Sequence, residues 1–277
     1  MPRVSAFVTT FNDEETIGAC LDSLKWADEI VLLDSFSTDR TIEIARQYTD
    51  CIYQHKFLGY GRQKQSALDK CTCDWVLFLD SDEMLPLPLQ AEIQLVMRSE
   101  PSVDGYEIPR REQLFWRMAS PNTRHNHFLR LFRRSKVKFN TIPVHAGPEL
   151  DGRSAKLREQ FFHFGERSIH EKVEKVNGYS TGLVNFRAGQ GRTASPWAML
   201  YYPPFTFLRQ YIQKRHYLNG WAGFIASVCM AFYSFMKCAK AYESVCRERY
   251  GSTLLPDECP RLEAPQTAEP AQVTSAA

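Results

Sequence analysis

Residues 74–83 read Asp-Trp-Val-Leu-Phe-Leu-Asp-Ser-Asp-Glu, and this stretch constrains the fold more than any other. Its apolar run, residues 75–79, suits a short strand covered on both faces, as inner strands of parallel sheets are. The run stops at Asp80-Ser81-Asp82, followed by Glu83. Two carboxylates one residue apart at the carboxyl end of a strand form a hard oxygen site. Such a site suits Mg²⁺ or Mn²⁺ already carrying a diphosphate. Open α/β sheets bind ligands at the carboxyl ends of their strands, so the placement fits that chemistry. The plainer alternative is a solvated acidic turn.

The preceding residues alternate strand and helix. Val4–Thr10 reads as a first strand, followed by a helix capped by Asn12 or Asp13, with Glu14 and Glu15 in its first turn. Glu29–Asp34 reads as a second buried strand that again ends in an aspartate. Ser37-Thr38-Asp39 then caps a helix whose apolar face is Ile42, Ile44, Ala45 and Tyr48. A short strand at 51–53 and a helix over 62–70 lead into the 75–79 strand. This order implies a parallel sheet with right-handed crossovers. Thr9-Thr10-Phe11-Asn12, Asp34 and the Asp80/Asp82 pair then share one rim. Asp34 there suits a ribose hydroxyl or a base N–H, with an Asx turn as the structural alternative. Neither a G-x-G-x-x-G nor a P-loop fingerprint occurs.

Composition narrows the partners. A hydrophobic share of 44% with 24% charged residues belongs to a globular protein. The net charge of +2 argues against a dedicated nucleic-acid binder. Eight cysteines are scattered, and Cys71-Thr72-Cys73 lacks a second pair at zinc-finger spacing. Reduced thiols and a cytoplasmic location follow, with no signal peptide expected ahead of Met1-Pro2-Arg3.

Taken together, Thr10-Phe11-Asn12-Asp13-Glu14-Glu15, Asp34-Ser35-Phe36-Ser37-Thr38-Asp39-Arg40-Thr41 and Leu79-Asp80-Ser81-Asp82-Glu83 resemble the ordered motifs of family 2 glycosyltransferases, which have the GT-A fold. The likeness is strongest to the lipopolysaccharide core β-glucosyltransferase branch and covers about residues 3–245. It runs on through Trp26-Ala27-Asp28-Glu29-Ile30, Phe128-Leu129-Arg130-Leu131-Phe132-Arg133 and Ile142-Pro143-Val144-His145. The resemblance implies an inverting transfer of a hexose, glucose foremost, from a nucleotide-diphosphate donor, UDP-glucose favoured. The implied acceptor is a glycolipid of the lipopolysaccharide core or a related polysaccharide. It also implies that Thr10, Asn12, Glu14, Asp34 and Asp39 hold the nucleotide, with Thr9, Phe11 and Ser37 as their neighbours in the donor-binding motifs. Asp80 and Asp82 would hold the metal and diphosphate, with His163 as a third metal ligand by the family pattern. For His163 the alternative is a satisfied core histidine.

Two departures stand out. Where the family loop reads D-S-G-S-T-D-G-T, this chain has Phe36 and Arg40 in place of the glycines. Glycine permits positive φ and close backbone approach, so Phe36 alters the base pocket or stacks on the base. The branch shows V-H-E, whose glutamate is a plausible base, and here the residues are Val144-His145-Ala146. Glu149, in Gly147-Pro148-Glu149, leads as the replacement, and His145 is the second candidate because imidazole titrates near neutrality. Loss of that glutamate leaves open an inactive sugar-nucleotide-binding or scaffold protein. Arg62 and Lys64, after the Gly59-Tyr60-Gly61 break, can point at phosphate or form a solvated helix face.

Farther on, Arg110, Arg111, Arg117, Arg124, Arg130, Arg133 and Arg134 make a basic stretch suited to an acidic acceptor. Residues 169–187 read as an amphipathic helix, and Pro196, Pro203 and Pro204 then break the chain. Residues 218–236 carry no charge and have cations and aromatics on both sides, which favours an interfacial helix at an anionic membrane over a span or a buried helix. The organisation expected is a GT-A domain over 1–165, a helical membrane-proximal region over 166–250, and a disordered tail over 251–277. The expected location is the cytoplasmic face of the inner membrane.

Overall fold

The structure is a computed structural model and describes residues 2–141, 146–165, 167–188 and 195–250. Strands β1 (Val4–Thr10), β2 (Glu29–Asp34), β3 (Ile52–Gln54) and β4 (Trp75–Asp80) form the parallel part of the sheet, in the order β3-β2-β1-β4. Along these strands successive side chains serve opposite faces. Val4, Ala6, Val8, Trp75, Leu77 and Leu79 pack on one side with α1 (Ile17–Asp22) and α2 (Thr41–Ala45). Phe7, Val31, Leu33, Val76 and Phe78 pack on the other with α3 (Tyr60–Leu68). Both faces are covered, which is why the strands are apolar without alternation.

Beyond β4 the sheet becomes mixed. The two-residue strand β5 (Glu83–Met84) follows the Asp80 turn, and α4 (Leu87–Arg98) covers the first face. Strands β6 (Gly105–Leu114), β7 (Arg117–Met118) and β8 (Asn126–Arg133) come next, with β8 antiparallel between β4 and β6. A ribbon of β9 (Val137–Phe139) and β10 (Pro148–Leu150) rests on the second face, where Phe139 meets Phe7 and Phe78 edge-on. Strand β11 (Ser154–Lys156) pairs with β6, and β12 (Phe161–His163) lies between β6 and β5.

The helical part consists of α5 (Ile169–Ala188), α6 (Ala198–Leu208) and α7 (Gly220–Tyr250), with a π-helical turn at Arg209–Gln213 and a 3₁₀ turn at His216–Asn219. Helix α6 runs through Pro203 and Pro204 instead of stopping there. Within this short helix the prolines forfeit two backbone bonds. Helix α7 packs along α5, where Lys240 Nζ donates to the Asn177 carbonyl, Asn177 Oδ1 and Thr181 Oγ1, each at 2.7 Å. The seven described cysteines are all free thiols. The expected tail at 251–277 lies outside the described residues.

The helix starts differ from expectation. Helix α1 begins at Ile17, and residues 12–16 form a turn in which Asn12 has φ 55°. Asn12 is therefore in the left-handed region, where a helix cap does not sit. Helix α2 is five residues long, and α3 begins two residues before the expected point.

Candidate active site

Register assembles the rim. Thr10 of β1 pairs with Asp34 of β2, and Thr9 of β1 pairs with Asp80 of β4. The three motifs that end these strands therefore meet at one edge, at the strands' carboxyl ends.

Asp13 ties this edge together. Its carboxylate accepts from Thr10 Oγ1 (2.8 Å), the Phe11 backbone N–H (3.0 Å) and Ser81 Oγ (2.5 Å). The β1 and β2 loops are clipped to each other through Asn12, whose N–H donates to Ser37 Oγ and whose Oδ1 accepts from the Thr38 N–H, both at 2.8 Å. Asp39 accepts from the Glu14 and Thr41 N–H groups, and Glu14 accepts from the Arg40 N–H. Asp34 is fully buried, and it accepts from the Ser37 N–H (2.9 Å), Ser37 Oγ and Gln54 Nε2 (2.8 Å). The Asx-turn role and the rim position thus coexist at Asp34. Thr10, Asn12, Glu14, Asp34, Ser37 and Asp39 form one network, while Phe11 is exposed beside it.

Phe36 is the residue at which the loop departs from glycine, and it retains the conformation glycine would favour, with φ 66°. The residue is 50% exposed, between Asp34 and Ser37 of the network. A non-glycine residue in the left-handed region costs on the order of 1 kcal/mol, so the surrounding network holds it there.

The deeper part of the rim is a chain of alternating charges. Lys64 Nζ is 2.6 Å from Asp80 Oδ1, and Arg130 is 3.4 Å from Asp80 Oδ2 and 2.6 Å from Glu83 Oε1. Arg110 lies 3.7 Å from Glu83 and 2.8 Å from Glu112. Glu112 Oε2 is 2.6 Å from His163 Nδ1, and His163 Nε2 is 3.2 Å from Asp82 Oδ2. Strand register explains the row: His163 of β12 lies between Glu112 of β6 and Glu83 of β5. The guanidinium of Arg130 also stacks over Phe78, 4.0 Å from the ring centre.

These neighbours set the protonation. Burial pushes Asp80 up, but Lys64 and Arg130 outweigh it and hold the carboxyl well below its usual range. Burial would lower His163, yet hydrogen bonds to Asp82 and Glu112 raise it to about 10. Glu112 is desolvated too, and His163 and Arg110 bring it down to about 2. Glu83 goes the other way: burial raises it, and Arg130 only partly opposes the rise.

A cavity of about 350 Å³ opens over Asp82, lined by Asp13, Gly165, Arg167, Glu171, Glu174 and Lys175 among others. Lys175 closes one side by donating to the Gly165 carbonyl at 2.7 Å, and Arg167 pairs with Glu15. Gly165 leaves room that His163 and Asp82 occupy, since a Cβ there would fall 2.5 Å from the imidazole.

Asp82 and His163 aim an oxygen and Nε2 at each other, and Glu112 fixes Nδ1. With a carboxylate at each ring nitrogen His163 is held as an imidazolium, so it would have to give up its Nε2 proton before it could join Asp82 as a ligand, with Glu112 then orienting the ring. Among the described residues no three His, Cys, Asp or Glu side chains gather as a ready cluster. Both oxygens of Asp80 face cations. Lys64 reaches the rim, whereas Arg62 is exposed on α3. Glu149 stands on the exposed face of the β9–β10 ribbon, opposite Lys138. His145 lies outside the described residues.

Sequence reasoning missed Glu112, Arg167, Glu171 and Lys175 as site residues and counted Arg110 and Arg130 only as part of a basic stretch. Period-two alternation beyond Ile108 was a usable signal, since it puts Arg110 and Glu112 on one side of β6.

A parallel half-sheet that continues into a mixed one, with D-x-D at the junction rim, defines the GT-A class of sugar-nucleotide transferases. The chain belongs to glycosyl transferase family 2, whose model matches residues 5–155. It is 32% identical over 248 residues to the lipopolysaccharide core biosynthesis glycosyltransferase LpsC of Rhizobium meliloti, covering 87% of this chain and 92% of that one. It is 29% identical to an uncharacterized glycosyltransferase of Rickettsia felis, over 90% and 93% of the two chains. A structure of glucosyl-3-phosphoglycerate synthase from Mycobacterium tuberculosis with Mg²⁺ and UDP is 24% identical over 39% of this chain and 44% of that one, with a TM-score of 0.35. The protein is a glycosyltransferase.

Proposed function

We propose that this glycosyltransferase moves a hexose, glucose in the leading reading, from UDP-glucose to a lipopolysaccharide-core glycolipid, with inversion, on the cytoplasmic face of the inner membrane. The observation that carries the reading is the shared rim of Thr10, Asp34 and Asp80, with Asp82 beneath a cavity large enough for a sugar. The loop network of Asn12, Glu14, Ser37 and Asp39 holds the nucleotide. Phe36 stacks on the base from the side that glycine would leave open. Asp82 and Asp80 would hold Mg²⁺ or Mn²⁺, and His163, once its Nε2 proton is lost, would join them with Glu112 orienting its ring. When bound, the ion neutralises charge on the departing diphosphate. Lys64 and Arg130 keep Asp80 ionised and place two further cations at that edge.

The acceptor hydroxyl must lose a proton on the face opposite the leaving group. Ala146 carries no acid, and Glu149 is the first carboxylate after it. Its ribbon rests through Phe139 on Phe78, two residues before Asp80, while Glu149 itself is on the ribbon's exposed face, open to an incoming acceptor. We assign Glu149 this role. Glu149→Gln then lowers kcat by about 10²-fold or more with donor affinity kept. A silent Glu149→Gln beside an inactive His145→Ala would move the base to His145. Donor release assayed with candidate acceptors reads both outcomes.

A further inference from the structure

We infer that the outer faces of α6 and α7 sit in the interfacial layer of an anionic bilayer, so that the protein is monotopic and does not span the membrane. Helix α6 consists of apolar residues, prolines and one threonine, yet none of its residues is buried. Trp197 just before it is 68% exposed, and Tyr201, Phe205 and Leu208 follow on the same side at steps of four, four and three. Helix α7 bears a second stripe: Trp221 is 76% exposed, and Val228, Phe232 and Phe235 are exposed below it. The helices meet where Phe224 packs edge-on against Phe207 and Tyr211, at 5.7 and 5.9 Å between ring centres. The two stripes therefore belong to one packed unit. An exposed aromatic surface of this extent marks a partner, and tryptophan with tyrosine suits the boundary between water and lipid.

Charge selects the partner. No Asp or Glu occurs between Glu174 and Glu243, while Arg209, Lys214, Arg215, Lys237 and Lys240 all fall in that interval. Arg209 and Arg215 are exposed at the turn joining the helices. A surface with basic charge and no acid complements anionic headgroups.

The opposite face of α7 argues against a span, although His216–Arg247 is long and apolar enough for one. Just before α7, Asn219 accepts from the Ser120 N–H (2.6 Å) and donates to Thr123 Oγ1 (3.1 Å). Ala222 and Ala226 pack on Leu114, Phe115 and Ala119 at the end of β6. Ser227 is fully buried. Crossing a bilayer would strip this face from the sheet, whereas lying on the surface keeps it docked.

The inference rests on the glycolipid-acceptor reading for its purpose but not for its test, which uses neither donor nor acceptor. The purified full chain is floated with vesicles of phosphatidylcholine alone or mixed with phosphatidylglycerol, then washed with carbonate. We expect binding to the anionic vesicles and release by carbonate. The triple variant Trp197→Ser/Phe205→Ser/Trp221→Ser should lose about tenfold or more of that binding, with its melting temperature unchanged. Arg209→Glu/Arg215→Glu should lose the preference for anionic vesicles. Full binding by the triple variant would overturn the inference. So would retention through carbonate, which indicates a span, or a stable dimer without vesicle affinity, which indicates that a second copy covers the stripes.

Discussion

In the sheet half of the chain Glu83 and Arg130 are withdrawn from water, whereas in the helical half Trp197, Phe205 and Trp221 are left in it. Each arrangement is costly alone. A buried charge is tolerable only with a partner inside the molecule, and an exposed aromatic stripe is tolerable best with a partner outside it. The sheet half supplies its own partners in the run from Lys64 to Asp82, whereas among the described residues the helical half leaves Trp197, Phe205 and Trp221 more than half exposed. The contrast separates a rim whose charges are paired within the chain from a surface whose aromatics are left exposed.

The largest effect on stability should come from breaking the rim's chain at its middle. Arg130→Met leaves Glu83, whose side chain is 0% exposed, without its 2.6 Å partner. A loss of about 3–5 kcal/mol is expected in denaturant unfolding. A loss below about 1 kcal/mol, the size of a surface pair, would mean that the rim is no more integrated than a surface. Truncating Trp221 in the helical half should leave the same measurement nearly unchanged.

Next in size is the pH dependence. His163 is raised to about 10, so its contribution is complete below about pH 6.5 and lost as pH rises through 10. Glu112 is depressed to about 2, so its contribution is present above about pH 4.5 and lost as pH falls through 2. Metal-free protein should therefore be most stable between about pH 4.5 and 6.5. It should lose on the order of 2 kcal/mol on the way to pH 10, a part of the full linkage. His163→Gln should flatten that alkaline slope, and an unchanged slope would place the titration elsewhere.

How far the sequence disclosed this contrast depends on the range of the interactions. The parallel strands and their aspartate ends were legible because each is written in a run of adjacent residues, whereas their order in the sheet was not. The register does bring Asp34 and Asp80 to one edge, and of Arg62 and Lys64, left open between phosphate and a solvated face, Lys64 pairs with Asp80. The Glu112–His163–Asp82 row was not legible, because it depends on β12 inserting between β6 and β5, which no local pattern announces. Helix starts were missed where loop tertiary bonds win over capping preference: Asn12 serves Ser37 and Thr38 and not a helix. Pro203 and Pro204 signalled a break that packing against α7 overrides. The charge-free segment 218–236 was visible, but that it has an inner docked face and an outer exposed one was not.

The smallest effect concerns Phe36. Replacing it by glycine relieves a left-handed φ while loosening the unfolded chain, so stability should change by no more than about 1 kcal/mol. Donor affinity should fall as the stacking ring is lost, read by calorimetric titration of UDP-glucose. Unchanged affinity would leave Phe36 as a tolerated departure without a role in the pocket.

The central claim is that Asp82, with His163 behind it, serves a divalent ion and the donor diphosphate at this rim. Release of UDP from UDP-glucose in the presence of Mn²⁺ tests it directly, comparing the native protein with Asp82→Ala. The native protein should turn over donor in a reaction that EDTA abolishes, with a loss of about 10³-fold or more in the variant at an unchanged fold. Undiminished turnover in Asp82→Ala, or full activity in EDTA, would contradict it.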